Sequence, residues 1–312
     1  MPSFRTVQLA WLLLAALGAC APERPSGGTL VVFNAGSLAR PLRAALDTFA
    51  RREGVRVEQE SAGSLESARK LTELGKIPDL IALADADVFP GYLVPAHVDT
   101  YVHFARNRMV VAYTPQSRHA AEMSPATWTD ILSRADVEVG RSDPELDPNG
   151  YRTLMTWQLA ALARADTGLA ARLAARAPAR NVRPKEADLI GLLEARELDY
   201  IWSYESLARA LGFAWVALGD SVDLSSAALD DWYAKARVTV RGAVAGTTQT
   251  FVGRAIVYAF AVPRAAPHPE TAARFAAFLV SAEGREILRR ESLDALDSAV
   301  VVGPPPTWMP RE

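Results

Sequence analysis

A single cysteine, Cys20, serves the whole 312-residue chain. One thiol excludes an internal disulfide and a cysteine-built metal cage. Histidine is scarce as well, with His97, His103, His119 and His268 making up the full set of four. No H-E-x-x-H spacing arises, and His97, Asp99 and His103 read as solvated loop residues rather than as a metal site. A G-x-S-x-G elbow for a serine nucleophile is missing, and so is the G-x-x-x-x-G-K loop that cradles a nucleoside triphosphate. Neither sign of charge is in excess: 34 Lys and Arg face 36 Asp and Glu, a formal net charge of −2. Without a basic stripe interleaved with aromatics, no nucleic-acid partner is expected. Any anion held here has to be held by local geometry, because the global field does not attract one. These absences point away from an enzyme and toward a binding protein, with a hydrolase as the minor alternative.

The N-terminus does carry a signal. "MPSFRTVQLAWLLLAALGAC" has Arg5 near its front and an apolar run from Leu9 to Leu17, too short for a stop-transfer helix. It closes on Leu17-Gly18-Ala19-Cys20, which resembles the bacterial lipobox. Residues 1–19 are therefore expected to be a signal peptide, with Cys20 as the lipid-acceptor thiol. Residues 20–28, "CAPERPSGG", are expected to form a lipidated, flexible tether. This places the protein in the periplasm or otherwise outside the cytoplasm, lipid-anchored to a membrane. Ala21 follows the cysteine, so retention in the inner membrane is not signalled.

From Thr29 onward, β-like and helix-like segments alternate. "TLVVFNAGS" and "VRVEQESAGS" read as strands running into turns, each followed by a helical pattern that ends on a glycine, Gly54 and Gly75. Further strands are expected at 78–85, 108–117, 137–143, 198–204, 213–219 and 254–264, and helices at 128–136, 150–165, 185–197 and 269–290. The pattern predicts an α/β fold with mostly parallel strands.

The tetrapeptide AGSL occurs twice, at 35–38 and 62–65, each time between a strand and a helix. In open α/β sheets ligands sit beyond the strand ends, near helix N-termini with free N–H groups. Ser37 and Ser64 are placed there, either as plain helix caps or as two hydroxyls on one small anion. A third turn, "ELDPNGYR", puts Asp147 at the start of a strong helix, and "YIWSYESLARA" ends a strand at Ser203-Tyr204.

With these pieces in view, the mature chain resembles, nearly end to end, a type II periplasmic solute-binding protein of the molybdate/tungstate class, the tungstate branch in particular. The resemblance rests on "VFNAGSL", "SAGSLESARKLTELGKIPDLIALAD", "RMVVAYT", "DPNGYR", "LDYIWSYESLA" and "GRAIVYAFAVP". It implies two α/β lobes with a ligand cleft and two crossover segments, near Tyr113–Pro115 and Ala245–Gly253. Lobe 1 would take residues 29–112 and 254–312, and lobe 2 residues 113–253. It further implies a tetrahedral oxyanion bound by Ser37, Ser64, Asp147 and Tyr204, with Asp147 in direct contact with the central metal atom of the ion. No cofactor is implied, only tungstate or molybdate as ligand. The implied partner is the permease of an ABC importer, and the implied state is a monomer.

The chain departs from that branch at one point. A Phe-Glu-Tyr-like pattern is usual at the strand end, and here it reads Trp202-Ser203-Tyr204, which puts Ser203 among the ligand-binding residues in place of a Glu. A carboxylate facing a dianion is repulsive unless it is protonated or bonds the central atom. Tungsten and molybdenum can expand their coordination, whereas sulfur and phosphorus in their oxyanions do not do so comparably. One carboxylate is then compatible with two sites. One has a five-coordinate or water-completed metal; the other is a hydrogen-bonding site that also admits sulfate or phosphate.

Overall fold

The computed structural model describes residues 28–309, so the expected signal peptide, Cys20 and nearly all of the tether lie outside the described residues. Strand β1 (Thr29–Ala35) buries Leu30, Val32 and Phe33 and passes through a 3-10 turn, Gly36–Leu38, into helix α1 (Ala39–Glu53). α1 buries Leu42, Ala45, Leu46 and Phe49, the stripe expected of an amphipathic helix. It stops at Gly54, whose φ of 64° suits glycine. β2 (Arg56–Ala62), α2 (Ser64–Thr72), β3 (Leu80–Leu83) and β4 (Tyr101–Arg106) follow.

The chain then builds a second sheet. β5 (Met109–Tyr113), α3 (Trp128–Leu132), β6 (Val139–Ser142), α4 (Pro148–Ala163), β7 (Val182–Arg183), β8 (Tyr200–Tyr204) and β9 (Ala214–Ala217) succeed one another. Trp202 anchors this lobe, meeting Trp128 of α3 and Trp157 of α4 edge-on with ring centroids 5.8 and 5.9 Å away. A hairpin of β10 (Arg237–Arg241) and β11 (Thr248–Val252) comes next. Finally β12 (Val257–Ala261) and β13 (Asp294–Val302) return to the first sheet, with helices Pro269–Val280 and Ala282–Arg290 between them.

The first sheet has the order β13-β4-β12-β3-β1-β2 and the second β7-β6-β8-β5-β9. Two α/β lobes result. The expectation of mostly parallel strands needs correction. Parallel ladders are confined to β2-β1-β3 and β7-β6-β8, while β12 runs antiparallel to β3 and β4, and β5 antiparallel to β8 and β9. The cause is connectivity. β5 and β12 arrive from the other lobe, so neither is tied to a βαβ crossover that fixes a parallel direction.

The passage between lobes also lies elsewhere than expected. All of β5 belongs to the second sheet, so the chain leaves the first at Asn107–Arg108, ahead of Tyr113–Pro115. Met109 N donates to Asp223 O at 2.8 Å, Ile256 N to Leu224 O at 2.8 Å, and Asn107 N to Ile256 O at 3.3 Å. Three chain segments therefore lie side by side between the lobes.

Candidate functional site

Ser37 sits in the 3-10 turn after β1, and Ser64 is the first residue of α2. Neither is a helix cap, since α1 and α2 begin without a side-chain capping bond. Both hydroxyls have other work. Ala84 N, just past β3, donates to Ser64 Oγ at 3.0 Å, which occupies an acceptor position and leaves the Ser64 proton to give. Ser37 Oγ lies 2.9 Å from Tyr258 Oη, which in turn accepts from Asn107 Nδ2 at 3.0 Å. Either hydroxyl of that pair can donate; with Asn107 filling an acceptor position on Tyr258 and Tyr258 donating to Ser37, the Ser37 proton is left to donate in its turn. Burial holds the Tyr258 phenol well above its ordinary range, so it stays neutral.

The second lobe repeats the device. Arg152 Nη1, which can only donate, meets Tyr204 Oη at 2.9 Å, so the Tyr204 proton is again available. Tyr204 is buried, its phenol pushed well up by that burial, and its ring meets that of Tyr258 edge-on with centroids 5.8 Å apart. Ser64, Ala84, Arg152, Tyr204, Tyr258 and Ser37 form one continuous chain of contacts, because Arg152 Nη1 also donates to Ala84 O at 2.6 Å. Four of the residues singled out in the sequence, Ser37, Ser64, Asp147 and Tyr204, are gathered in this way, with Asp147 joining through Glu186 below.

Asp147 is the N-cap of α4. Its carboxylate accepts Asn149 N at 3.3 Å and Glu186 N at 2.8 Å, and Pro148 supplies the first helical residue, where no N–H is needed. Gly150 is required here: a Cβ would come within 2.6 Å of Ser142 O and of the Asp143–Pro144 backbone. Burial raises the Asp147 carboxyl to about 6, the two backbone N–H groups opposing the rise.

Glu186 escaped the sequence reading. It opens a 3-10 turn, Glu186–Leu189, and is 1% exposed. Its Oε1 accepts from Ser203 Oγ at 2.5 Å and from Tyr204 N at 2.6 Å, while Oε2 is buried with no partner among the described residues. Burial, augmented by Asp147, holds its carboxyl at about 8. Ser203, expected to face the ligand, instead commits its hydroxyl to Glu186 and to Tyr204 O. Glu205 faces away and pairs with Arg108 at 2.8 Å and Arg209 at 2.7 Å. Asn149 Nδ2, beside Asp147, is a second buried atom without a partner among the described residues.

The lobes are closed on one another. The expectation that α2 aims free N–H groups at an ion is corrected here, because Leu65 N and Glu66 N donate to Leu146 O of the other lobe at 3.1 and 3.3 Å. A Cβ on Gly63 would lie 2.2 Å from that same oxygen. Arg69 reaches across to Glu145 O at 2.5 Å and Arg241 O at 2.7 Å, and Lys185 Nζ to Ser61 O at 3.2 Å. Most heavily invested is Arg152, buried and paired with Asp85 Oδ2 at 2.9 Å, an oxygen that also accepts Tyr151 Oη at 2.5 Å. Asp85 follows strand β3 and serves two ends at once. Its backbone-turn role is real, since Asp87 N donates to Oδ1 at 2.9 Å, but the other oxygen is the cross-lobe one.

Comparison with known proteins places this geometry in context. Residues 30–291 match the family described as bacterial extracellular solute-binding protein. A solute-binding protein of Petrotoga mobilis, itself uncharacterized, is 40% identical over 271 residues, spanning 86% of this chain and 84% of that one. The molybdate/tungstate-binding protein WtpA of Pyrococcus abyssi is 34% identical over 326 residues, spanning 96% and 94%. Among solved structures, the sulfate-binding protein SubI of Mycobacterium tuberculosis superposes with a TM-score of 0.60 at 14% identity, covering 87% of this chain and 88% of SubI. At that identity the likeness is one of fold.

Proposed function

The chain belongs to the bacterial extracellular solute-binding protein family, and from that premise we propose that it captures tungstate or molybdate outside the cytoplasm for an ABC importer. The observation that carries the reading is the set of three buried hydroxyls, Ser37, Ser64 and Tyr204, each with an acceptor position filled and its proton to spare. An oxyanion offers only acceptors on its surface, so donors with no competing use are what it needs. Ser37 and Ser64 come from one lobe and Asp147 and Tyr204 from the other. An ion touching all four binds the closed state best and shifts the protein toward it. Closure also removes water, which strengthens each charge-assisted bond. The protein acts as a carrier rather than a catalyst: no nucleophile and base stand together among these residues. The closed form is what the permease would recognise, and acylation at Cys20 would keep the protein near it.

The test is isothermal titration calorimetry on the chain from Ala21 onward with tungstate, molybdate, sulfate and phosphate in turn. Tight binding of the first two with no heat from the others is expected, and Asp147→Ala weakens it. Comparable binding of sulfate points to the hydrogen-bonding alternative. Silence from all four removes the oxyanion reading.

A further inference from the structure

Glu186 links Asp147 to Tyr204 without contributing a hydroxyl of its own, and it is the most tightly enclosed acid of the site. One of its oxygens is fully engaged, by Ser203 Oγ at 2.5 Å and Tyr204 N at 2.6 Å. Those two bonds set the plane of the carboxyl and hold the side chain in one orientation. The other oxygen, Oε2, has neither solvent nor partner among the described residues. Leaving a buried carboxyl oxygen unmet is costly, so a fold that keeps one enclosed calls for something to meet it. Its neighbours are the site itself. Its own N–H is held by Asp147, and Tyr204 N lies on its engaged side. Its charge is felt at the hydroxyl of Tyr258, the partner of Ser37. Across the cleft the Ser37 turn packs directly on the segment that carries it, a Cβ at Gly36 standing 3.5 Å from Lys185 Cδ and 3.7 Å from Ala187 Cβ.

We propose that Glu186 is a ligand-contacting, specificity-determining residue, its Oε2 bonding the central atom of the captured oxyanion alongside Asp147. This rests on the oxyanion reading above and narrows it. The hydroxyls of Ser37, Ser64 and Tyr204 supply protons to the oxo groups. A carboxyl oxygen supplies the opposite, an electron pair, and needs an electropositive atom to receive it. Sulfate and phosphate show only oxygens to their surroundings and leave two acids facing like charge. A metal-centred oxyanion has a centre that accepts oxygen ligands. Ser203, which stands where a Glu would reach in from strand β8, does not leave the site short of a carboxyl. It positions one that arrives from the 3-10 turn 17 residues earlier. Two carboxyls make the site selective for molybdate and tungstate over their lighter tetrahedral analogues.

Glu186→Gln separates this role from others, because the amide keeps an oxygen to accept from Ser203 Oγ and Tyr204 N and the shape of the side chain, while replacing Oε2 with a nitrogen that has no electron pair to give. Titration calorimetry with tungstate is run on the unsubstituted protein, Glu186→Gln and Ser203→Ala, with circular dichroism to establish folding. X-ray absorption at the tungsten edge of each tungstate-saturated protein reads the coordination number. The expected result is a loss of affinity of 100-fold or more in Glu186→Gln, fewer oxygens around tungsten, and a smaller loss in Ser203→Ala. Tight binding by Glu186→Gln with unchanged coordination overturns the proposal and leaves the oxyanion reading standing. So does a four-coordinate tungsten in the unsubstituted protein. Failure of the unsubstituted protein to bind tungstate at all overturns both.

Discussion

The backbone N–H of Glu186 is held by Asp147 Oδ2 at 2.8 Å, so the two acids of the site are joined through main chain rather than set apart. This bond ties the start of α4 to the turn at 186–189 and fixes both acids in one frame. Exchanging Asp147 removes the acceptor of that N–H, whereas a side-chain exchange at Glu186, which gives the bond from its main chain, leaves it in place.

The two acids make ligand-free stability depend on pH. Unfolded Asp and Glu titrate near 3.9 and 4.3, whereas folding raises Asp147 to about 6 and Glu186 to about 8, burial being the larger cause in each. Arg152 draws Asp147 down, Asp147 pushes Glu186 up, and Tyr204 and Tyr258 remain neutral throughout. The folded state therefore holds protons that the unfolded chain has already released. The stabilisation is complete below about pH 4 and is lost as pH rises through about 6 and then about 8. Between pH 5.5 and 8.5 the melting temperature is expected to fall by on the order of 5–10 °C. Glu186→Gln should flatten the upper part of that fall. Identical profiles for the two proteins count against the assignment.

Gly63→Ala tests closure separately from folding. At φ −63° and ψ 149° alanine fits the backbone without strain. Its Cβ, however, would stand 2.2 Å from Leu146 O on the opposite lobe. Each lobe folds as before and the lobes cannot meet. Oxyanion affinity is expected to fall at least about tenfold, roughly 1.4 kcal/mol or more, with the ligand-free melting temperature unchanged. Retained affinity by calorimetry shows that the closed approach is not needed for binding.

Arg152→Met removes the cation from the cross-lobe ion pair. Cutting one partner from a buried pair costs about 3–5 kcal/mol, and here Asp85 and Ala84 O are abandoned on the other lobe. The loss falls on the closed state, so affinity should drop on the order of 100-fold. Small-angle scattering at saturating ligand should give a larger radius of gyration than for the parent. A closed, tight-binding Arg152→Met protein would falsify the view of this pair as a latch.

Cys20→Ser addresses the anchor. The full chain expressed in a bacterial host is expected to partition with membranes and to incorporate labelled palmitate. The variant should be unlabelled and soluble. Label on the variant places the acyl chain elsewhere.

Much of the first lobe was legible because β1, β2 and α1 obey simple periodicities, with alternation or apolar runs for the strands and an i, i+3, i+4 stripe for the helix. Ser37, Ser64, Asp147 and Tyr204 announced themselves through short turns beside strand ends. Glu186 did not. It sits inside "KEADLIGLLEARE", where an acid at a helix start looks like a favourable first-turn charge, and only folding brings it to Ser203 and Asp147. Its signal, in hindsight, is the Ser at 203, whose departure from the expected acid asks where the acid went. Asp85 was hidden for a similar reason: one oxygen serves the local turn, which is all that the sequence displays. β4, β7, β10, β11 and β13 were missed, β13 because its nine residues carry no clean alternation of burial, and strand directions because they follow from where the chain crosses between lobes, a long-range matter.

The three segments lying side by side at Asn107–Met109, Asp223–Leu224 and Ile256 carry a consequence for transport. A single strap lets two bodies swivel as well as fold, and crossing segments at 107–109 and 256 that are bonded to each other and to Asp223–Leu224 leave chiefly the fold. Opening then follows one axis, and every loaded molecule comes back to the same outline. On the proposed transport role, a membrane receptor would thus be offered one silhouette for each condition.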